Sequence, residues 1–289
     1  MPGGGSNLAA ALRVARELGM PVGEPVVLRD LSTTLVHLAP SPVVARAWRV
    51  GGRDPVVVER EIGLTAYLAG RGARVAAPYD EPGPHRTGDH VVTLWHHVDH
   101  DRARPLDGRA AGRALREIHD LLGEPEAAAF ADLPHFARLE EATVVAAALE
   151  VTAEDRAGLD EMLALAGDQV PRLTLPVQPL HGDAFLGNVL RTPDGPVWTD
   201  FEFVCRGPRE VDVATNEAVA RERGRRPEDD EFLVGYGPVD RDVVGAVTPL
   251  SLVPFVVWTF RLAAQYPDHL ATARSRLDVA LTGLRAAGG

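Results

Sequence analysis

Acidic, amide and imidazole side chains cluster in the segment HGDAFLGN, residues 181–188, and a further carboxylate follows at Asp200 in VWTDFEF. An amide and a carboxylate side by side are oxygen ligands that suit a hard divalent cation such as Mg²⁺. A second carboxylate nearby could accept a proton from an attacking hydroxyl. Taken singly, His181, Asp183 and Asn188 could equally be hydrogen-bonded turn residues, because loops favour such side chains. Their chemistry depends on the element that joins Asn188 to Asp200.

A β-hairpin is predicted between Asn188 and Asp200. The run NVLRT precedes a PDG turn at residues 193–195, and the run PVWTDF follows it. Proline, aspartate and glycine are residues that tight turns favour. The hairpin brings Asn188, at the start of its first strand, next to Asp200, at the end of its second, with Asp183 in the preceding loop. This order matches phosphoryl transfer, in which a loop Asp is the base and a following Asn and a later Asp hold the metal.

Residues 1–95 are predicted to form a β-rich N-terminal lobe. A first helix follows a cap at Ser6 or Asn7 and ends at Gly19. The runs PVVLRDL, TTLVHLA and PVVARAW predict three antiparallel strands. A helix of about three turns within VVVEREIGLTAYLAGRG ends at Gly70, and HVVTLW predicts a further strand.

Residues 96–289 are predicted to form a larger, mainly helical lobe that contains the hairpin. Asp107 can cap a helix that stops at Gly123. Two lobes suit a chain of 289 residues, since one domain usually takes roughly 100–200. The predicted class is therefore α+β. Periodic apolar residues predict further helices around 137–150, 154–169, 208–222, 228–235 and 240–286.

The composition excludes several classes of protein. A net charge of −11 argues against nucleic-acid binding, because phosphate-backbone binders usually carry a basic face. The start MPGGGSNLAA lacks the pattern of a secretory signal. The apolar run at residues 245–260 is shorter than the roughly 18–20 residues of a membrane span and contains Pro249 and Pro254, so it predicts a buried, interrupted helix. We expect a cytoplasmic monomer or homodimer with no nucleic-acid or membrane partner.

The segments HGDAFLGN and TDFEF resemble the aminoglycoside phosphotransferase and choline-kinase-like family, relatives of the protein kinases whose loop reads H-G-D-x-x-x-x-N before a later metal-binding Asp. EREIGLTAYLA is similar to the family's lobe-bridging helix, LREIHDLL to its early C-lobe helix, and RGPREVDVA to the segment after the metal Asp. The resemblance implies a protein-kinase-like two-lobe fold. It also implies that Asp183 is the catalytic base and that Asn188 and Asp200 hold Mg²⁺. His181 is expected to order the loop, and Asp212 to brace it from the following helix.

The resemblance further implies a phosphate clamp, a cation on the third strand paired with a helix carboxylate. Glu61 in EREIGL is the expected carboxylate, since Glu59 lies on a different helical face. Arg46 in VVARAW stands where the family normally has lysine, in a chain whose 30 basic residues are all arginine. A guanidinium binds phosphate oxygens bidentately, but it is longer and planar, so the exchange is not conservative.

Other nucleotide contacts are expected from the turn RDLSTTLV and the linker LWHHVDH. No G-x-G-x-x-G loop is present, and Ser32 and Thr33 could offer hydroxyl and backbone N–H donors to phosphates. The backbone of Trp95, His96 and Val98 could bond a purine.

The same linker has an alternative interpretation as a zinc cluster at residues 96, 97, 99 and 100, because histidine and carboxylate are common zinc ligands. Adjacent histidines in an extended segment point to opposite sides, which disfavours this interpretation.

The function favoured by these patterns is Mg²⁺-dependent transfer of phosphate from ATP or GTP to a hydroxyl of a small molecule, such as an aminoglycoside or another antibiotic-like natural product. An acidic run at residues 228–231 and Glu202 would suit a cationic acceptor, although a solvated helix start and a structural hydrogen bond explain them as well. Choline, homoserine or a sugar is the alternative acceptor. Arg46 leaves open a pseudokinase-like module without turnover. A metallophosphoesterase would need more histidines than the C-terminal 100 residues offer, where His269 stands alone.

Overall fold

An antiparallel sheet forms the N-terminal part of the chain in the computed structural model, which describes residues 4–30, 33–51 and 53–288. Its strands are β1 (Val26–Asp30), β2 (Thr34–His37), β3 (Val43–Arg49), β4 (His85–Thr87) and β5 (His90–His96). They lie in the order β1-β2-β3-β5-β4. The three antiparallel strands predicted before the helix and the later strand HVVTLW are confirmed. Three-residue β4 was not predicted, because so short a run shows no alternation.

Two helices, α1 (Gly4–Glu17) and α2 (Pro55–Gly70), cover opposite faces of this sheet. Successive strand residues point to opposite faces. Ala45 of β3 therefore packs with the apolar residues of α1, whereas Trp48 of the same strand packs with those of α2.

The starts of both helices differ from prediction. α1 begins at Gly4, so the predicted caps Ser6 and Asn7 lie within its first turn. α2 has 16 residues, about one turn more than predicted, because the Asp54 carboxylate accepts a hydrogen bond from the Val56 N–H (2.9 Å) and Pro55 is placed at its first turn. Its end at Gly70 is confirmed.

α2 also joins the two parts of the chain. Its residues Leu64 and Leu68 belong to the large C-terminal core, while Val58 and Ile62 pack under the sheet. β5, the last strand of the sheet along the chain, extends to His96. The lobe boundary at residues 95 and 96 stays a prediction.

The C-terminal part is mainly helical. The Asp107 carboxylate caps its first helix by accepting from the Ala110 N–H (2.8 Å), and that helix ends at Gly123 as predicted. The single helix predicted over 240–286 is two helices, separated by a short turn at Pro267–His269. The helices are α3 (Gly108–Leu122), α4 (Leu139–Ala147), α5 (Ala153–Gln169), α6 (Glu210–Arg223), α7 (Pro227–Tyr236), α8 (Arg241–Gln265) and α9 (Leu270–Gly288).

The predicted hairpin is confirmed as β7 (Val189–Thr192) and β8 (Gly195–Trp198). A second pair, β6 (Gln178–Leu180) and β9 (Cys205–Gly207), was not predicted. β6 leads into residues 181–188 and β7 leaves them, so two short strands hold both ends of that segment.

The apolar run predicted as an interrupted helix lies in α8, which is continuous through Pro249 and Pro254. Each proline costs about 3 kcal/mol in a helix interior. Twelve residues of α8 are buried, and each large apolar side chain contributes about 1.5–3 kcal/mol, so burial outweighs the prolines. α8 is also the one helix in the described parts of the chain whose length and composition would allow it to cross a membrane, and 56% of its apolar window is buried.

Close packing of α3 on α7 gives a test of the C-terminal core. A Cβ on Gly112 would lie 2.1 Å from the Phe232 carbonyl oxygen and 2.6 Å from the Tyr236 nitrogen, both backbone atoms. We expect Gly112→Ala to lower the free energy of unfolding by about 1–3 kcal/mol, since overpacking displaces backbone. Gly167→Ala on α5, where a Cβ meets nothing within 4 Å, is the control and should not destabilise the protein. Chemical denaturation compares the two variants, and equal stability would contradict the packing described.

Candidate active site

The 181–188 loop is held from α6 by Asp212. One carboxylate oxygen, Oδ1, accepts from the Gly182 N–H (2.8 Å), and Oδ2 accepts from the His181 N–H (3.0 Å) and from His119 Nε2 (2.9 Å). Burial raises the pKa of Asp212, but the hydrogen bond and charge of His119 outweigh it, and the pKa lies below its usual range. A charged Asp212 therefore fixes the start of the loop through two backbone groups.

Gly182 must be glycine in this loop. Its φ is +82°, and a Cβ would lie 1.9 Å from the Phe203 carbonyl oxygen. Left-handed backbone and close approach both exclude larger residues. The loop is thus packed directly on the segment that follows Asp200.

His181 links the loop to the end of the hairpin. Its Nε2 lies 3.1 Å from the Thr199 carbonyl oxygen, which can only accept, so Nε2 carries the proton. Nδ1 then accepts from the Asp183 N–H (3.3 Å). Burial lowers the pKa of His181, in agreement with a neutral ring. The side chain is fully buried and does not face solvent.

Asp183, Asn188 and Asp200 meet at one end of the hairpin, which the Thr199 N–H closes on the Asn188 carbonyl (3.0 Å). The Asn188 amide nitrogen donates to Oδ2 and to the carbonyl oxygen of Asp183, each at 2.9 Å. The amide oxygen of Asn188 is therefore the atom left for a metal. Asp200 has φ 66° and ψ 54°, a left-handed conformation that Asp tolerates better than most residues.

Negative charge is concentrated at this end of the hairpin. Burial and then the charge of Asp200 raise the pKa of Asp183 well above its usual range. The same two causes raise the pKa of Glu202, although Arg53 and Arg46 oppose them. Like charges this close disfavour ionisation. A cation bound between Asn188 and Asp200 would relieve the repulsion, so the donor set fits a hard divalent ion.

Arg46 and Glu61 form a buried ion pair on the facing sheet. Arg46 Nη2 lies 2.6 Å from Glu61 Oε2, and the two side chains are 4% and 1% exposed. Arg46 Nη1 reaches across to Asp200 Oδ1 (3.5 Å) and to Glu202 Oε2 (4.0 Å). Glu59 is exposed. The structure thus brings the predicted pair together and directs it at the predicted metal ligand.

Two further arginines lie in the site and were missed from the sequence. Arg29 Nη1 lies 3.3 Å from Asp200 Oδ2. Arg53 Nη2 lies 3.1 Å from Glu61 Oε2, and its Nη1 lies 3.7 Å from Glu202 Oε2. Nothing in a chain with 30 arginines singles these two out. Glu202, considered for a cationic acceptor, therefore faces the arginines of the N-terminal part.

The structure describes only part of the predicted phosphate-binding turn. Ser32 lies outside the described residues. Thr33 is buried, and Thr34 Oγ1 donates to Asp30 Oδ1 (2.8 Å).

The predicted purine contacts lie at the end of β5 and beyond it. The Trp95 ring lies 5.2 Å below the Arg46 guanidinium. The His96 N–H already donates to the Ala77 carbonyl (2.9 Å). A hydrogen bond from a purine to the backbone of His96 would therefore have to be accepted by the His96 carbonyl. The Val98 carbonyl lies 2.8 Å from His100 Nδ1. These hydrogen bonds reduce the number of backbone groups in this segment that remain free to bond a purine base.

The zinc interpretation of the linker is wrong. In the residues that the structure describes, no group of three or more His, Cys, Asp or Glu side chains is arranged to hold a metal. His97 stacks on His37 with ring centroids 3.7 Å apart, and His96 meets Tyr79 edge-on at 5.1 Å. The histidines point in different directions, as expected for an extended segment.

The acidic run at residues 228–231 lies in the first turns of α7 and is paired throughout. Each carboxylate is within 4.0 Å of an arginine, so none is left as an unpaired site for a cationic acceptor. The pairs are Glu228–Arg226, Asp229–Arg223, Asp230–Arg225 and Glu231–Arg109.

An aromatic surface lies beside the 181–188 loop. The rings of Phe203 and Phe255 are 5.6 Å apart and both are partly exposed. The Arg138 guanidinium lies 5.4 Å over Phe203 and donates to the Val204 carbonyl (3.0 Å). The backbone carbonyl of Phe203 packs on Gly182, the residue before Asp183.

The family model described as the APH phosphotransferase enzyme family matches residues 9–247. The chain belongs to this family. The expected small-molecule kinase and its protein-kinase-like two-lobe fold are thereby confirmed. No curated protein matches the sequence.

Solved structures of this fold resemble the chain at low sequence identity. Amicoumacin kinase hAmiN, in complex with AMP-PNP, Ca²⁺ and Ami, has a TM-score of 0.71 and 11% identity, with 96% of each chain covered. Aminoglycoside phosphotransferase APH(3'')-Id from Streptomyces rimosus has a TM-score of 0.60 and 23% identity, covering 85% of this chain and 98% of its own. Choline kinase LicA from Streptococcus pneumoniae has a TM-score of 0.65 and 15% identity, covering 96% and 99%. These likenesses support the fold.

Proposed function

We propose that this phosphotransferase transfers the γ-phosphoryl group of ATP or GTP to a hydroxyl of a small molecule in a Mg²⁺-dependent reaction. The observation that carries the proposal is the meeting of Asp183, Asn188 and Asp200 at one end of the hairpin, opposite the buried Arg46–Glu61 pair. A base, two oxygen ligands and a phosphate-binding cation are the parts that phosphoryl transfer requires.

Asp183 is the proposed base. The Asn188 amide fixes one of its carboxylate oxygens at 2.9 Å, and the chain around it is held by His181 and Asp212. The remaining oxygen can orient an acceptor hydroxyl and accept its proton as the hydroxyl attacks. We propose that the acceptor binds beside this oxygen.

Asn188 and Asp200 would hold Mg²⁺ through one amide and one carboxylate oxygen. The ion held there would neutralise negative charge on the phosphate oxygens. In the same site Arg46, kept charged and positioned by Glu61, is proposed to bind the phosphates bidentately. Thr33 and Ser32 are proposed to cover the phosphates, and Trp95, His96 and Val98 to contact the base.

The acceptor is proposed to be an antibiotic-like natural product with an apolar or aromatic part. Phe203 and Phe255 offer such a group an aromatic surface, and the backbone of Phe203 packs on the 181–188 loop at Gly182. The carboxylates of the acidic run, in contrast, are all paired with arginines. The amicoumacin and aminoglycoside kinases among the structural neighbours support the antibiotic class. We further propose a cytoplasmic enzyme, monomeric or homodimeric, without nucleic-acid or membrane partners.

Calorimetric titration of Mg²⁺-ATP and Mg²⁺-GTP, followed by an acceptor panel, tests the proposal. The panel should contain aromatic antibiotics, aminoglycosides, choline, homoserine and sugars, with transfer detected by mass spectrometry. Phosphorylation of an antibiotic would support the proposal, and phosphorylation of choline alone would assign a primary-metabolite kinase. Nucleotide binding with no transfer across the panel would instead favour a non-catalytic module.

Replacing Arg46 tests whether a guanidinium serves as the clamp. We expect Arg46→Met to weaken Mg²⁺-nucleotide affinity by about 10- to 100-fold, because charge-assisted hydrogen bonds contribute about 1.5–3 kcal/mol. The fold should survive, since Arg53 still pairs with Glu61 at 3.1 Å. Arg46→Lys should recover only part of the affinity, because an ammonium keeps the charge but not the bidentate geometry. The control is Arg49→Met on the same strand, an exposed residue paired with Asp89. An unchanged dissociation constant for Arg46→Met would remove Arg46 from the clamp.

A further inference from the structure

Arg29 enters the site through an irregularity in the sheet. The pairing of β1 with β2 runs from Val27↔Val36 directly to Arg29↔Leu35, so Leu28 is an extra residue on β1. Such a bulge turns the following side chain. Residues 26–28 are all exposed, whereas the Arg29 side chain is 36% exposed and reaches Asp200, 171 positions along the chain.

The Arg29 guanidinium has unused donors. Its Nη1 lies 3.3 Å from Asp200 Oδ2, while its buried Nε finds no partner among the residues that the structure describes. A guanidinium carries five N–H donors in a planar fork. Burying a donor without an acceptor is unfavourable, so the group is suited to a ligand rich in acceptor oxygens.

The two arginines at Asp200 differ in how firmly other residues hold them and in how exposed they are. Arg46 is anchored by Glu61 at 2.6 Å and is 4% exposed. Arg29 has Asp200 as its ion-pair partner and lies nearer to solvent. A divalent cation on Asp200 would take that carboxylate and repel the guanidinium, unless an anion came between them. Phosphate oxygens bound to the same cation are such an anion.

We propose that Arg29 is a second phosphate-binding residue, which binds the terminal phosphate of the nucleotide when Asp200 binds the metal. The inference rests on the proposed function. Arg46, on the third strand and paired with a helix carboxylate, occupies the position that serves the inner phosphates in kinase-like sites. Arg29 is the other guanidinium at Asp200, which leaves the terminal phosphate to it. Arg29 would thus bind the group that is transferred.

The alternative is that Arg29 merely ties β1 to Asp200. The two possibilities differ in their effect on nucleotides of different length. A tie would affect nucleotides with two and three phosphates alike, whereas a terminal-phosphate ligand would distinguish them.

The test compares Mg²⁺-AMP-PNP with Mg²⁺-ADP by calorimetry for the wild type, Arg29→Gln and Arg29→Lys. We expect Arg29→Gln to weaken AMP-PNP binding by about 10- to 100-fold and ADP binding by less than about threefold. Arg29→Lys should recover part of the lost AMP-PNP affinity. If the Gln variant does not fold, the ratio of the AMP-PNP and ADP dissociation constants is taken from the Lys variant. Arg49→Gln, at an exposed arginine of β3, should change neither constant.

An unchanged ratio of the two dissociation constants in both Arg29 variants would overturn the inference while leaving the proposed function intact. If the wild type bound neither nucleotide with Mg²⁺, the proposed function and this inference would both be overturned.

Discussion

Asp183→Asn is expected to lower kcat by about 10²- to 10⁴-fold, the usual contribution of a general base. Asparagine has nearly the same shape, and its carbonyl oxygen can still accept from Asn188, so the loop should keep its conformation. It cannot accept a proton from the acceptor hydroxyl. The change therefore removes proton transfer and retains the geometry.

The measurement is initial-rate kinetics with an acceptor found in the panel, together with the dissociation constant of the Mg²⁺-nucleotide. Nucleotide affinity should not weaken, because the change removes a negative charge near the phosphates. Asp194→Asn, at the exposed tip of the same hairpin, is the matched control and should behave as the wild type. A kcat for Asp183→Asn near that of the control would mean that Asp183 is not the base.

The hairpin shows how far sequence alone could lead. Its turn residues and short strands are local features, and β7 and β8 follow the predicted runs closely. Once the hairpin was placed, the proximity of Asn188 and Asp200 followed from antiparallel pairing, without any long-range information. The Arg46–Glu61 pair required the resemblance as well, since the two residues belong to different elements.

The missed parts of the site depend on distant contacts. Arg29, which pairs with Asp200, directly follows a bulge in β1 that apolar alternation does not reveal. β6 and β9 have three residues each, too few for a periodic signal. Pro249 and Pro254 predicted an interruption, but the burial of α8 among other helices outweighs their local cost. Local rules therefore failed where tertiary packing or cross-lobe charge decided the outcome.

The cations that face the carboxylates of this site are arginines. Arg29, Arg46 and Arg53 face Glu61, Asp200 and Glu202, so three guanidinium groups meet three carboxylates. A guanidinium can bond two acceptors at once, which lets Arg46 contact a helix carboxylate and a metal ligand together. Without nucleotide, the three arginines neutralise the three carboxylates. With nucleotide bound, Mg²⁺ would neutralise carboxylate charge and the phosphates would neutralise arginine charge.

Asp212→Ala is expected to destabilise the protein by about 3–5 kcal/mol, the cost of removing one partner from a buried charged network. The change leaves His119 Nε2 and the N–H groups of His181 and Gly182 without their acceptor in a site that is fully buried. Asp120→Ala on α3 removes an exposed carboxylate paired with Arg116 and should cost less than about 1 kcal/mol.

Stability alone would not show that Asp212 positions the loop, so hydrogen exchange provides a second measurement. The amides of His181 and Gly182 should lose protection in Asp212→Ala by more than the global loss of stability requires, because their acceptor is gone. The amides of α1, remote from Asp212, should change only with the global value. If the protection of the loop amides fell no more than that of the α1 amides, Asp212 would stabilise the core without specifically positioning the loop. A selective change would instead connect one buried carboxylate to the position of Asp183, two residues beyond His181, and hence to the rate of phosphoryl transfer.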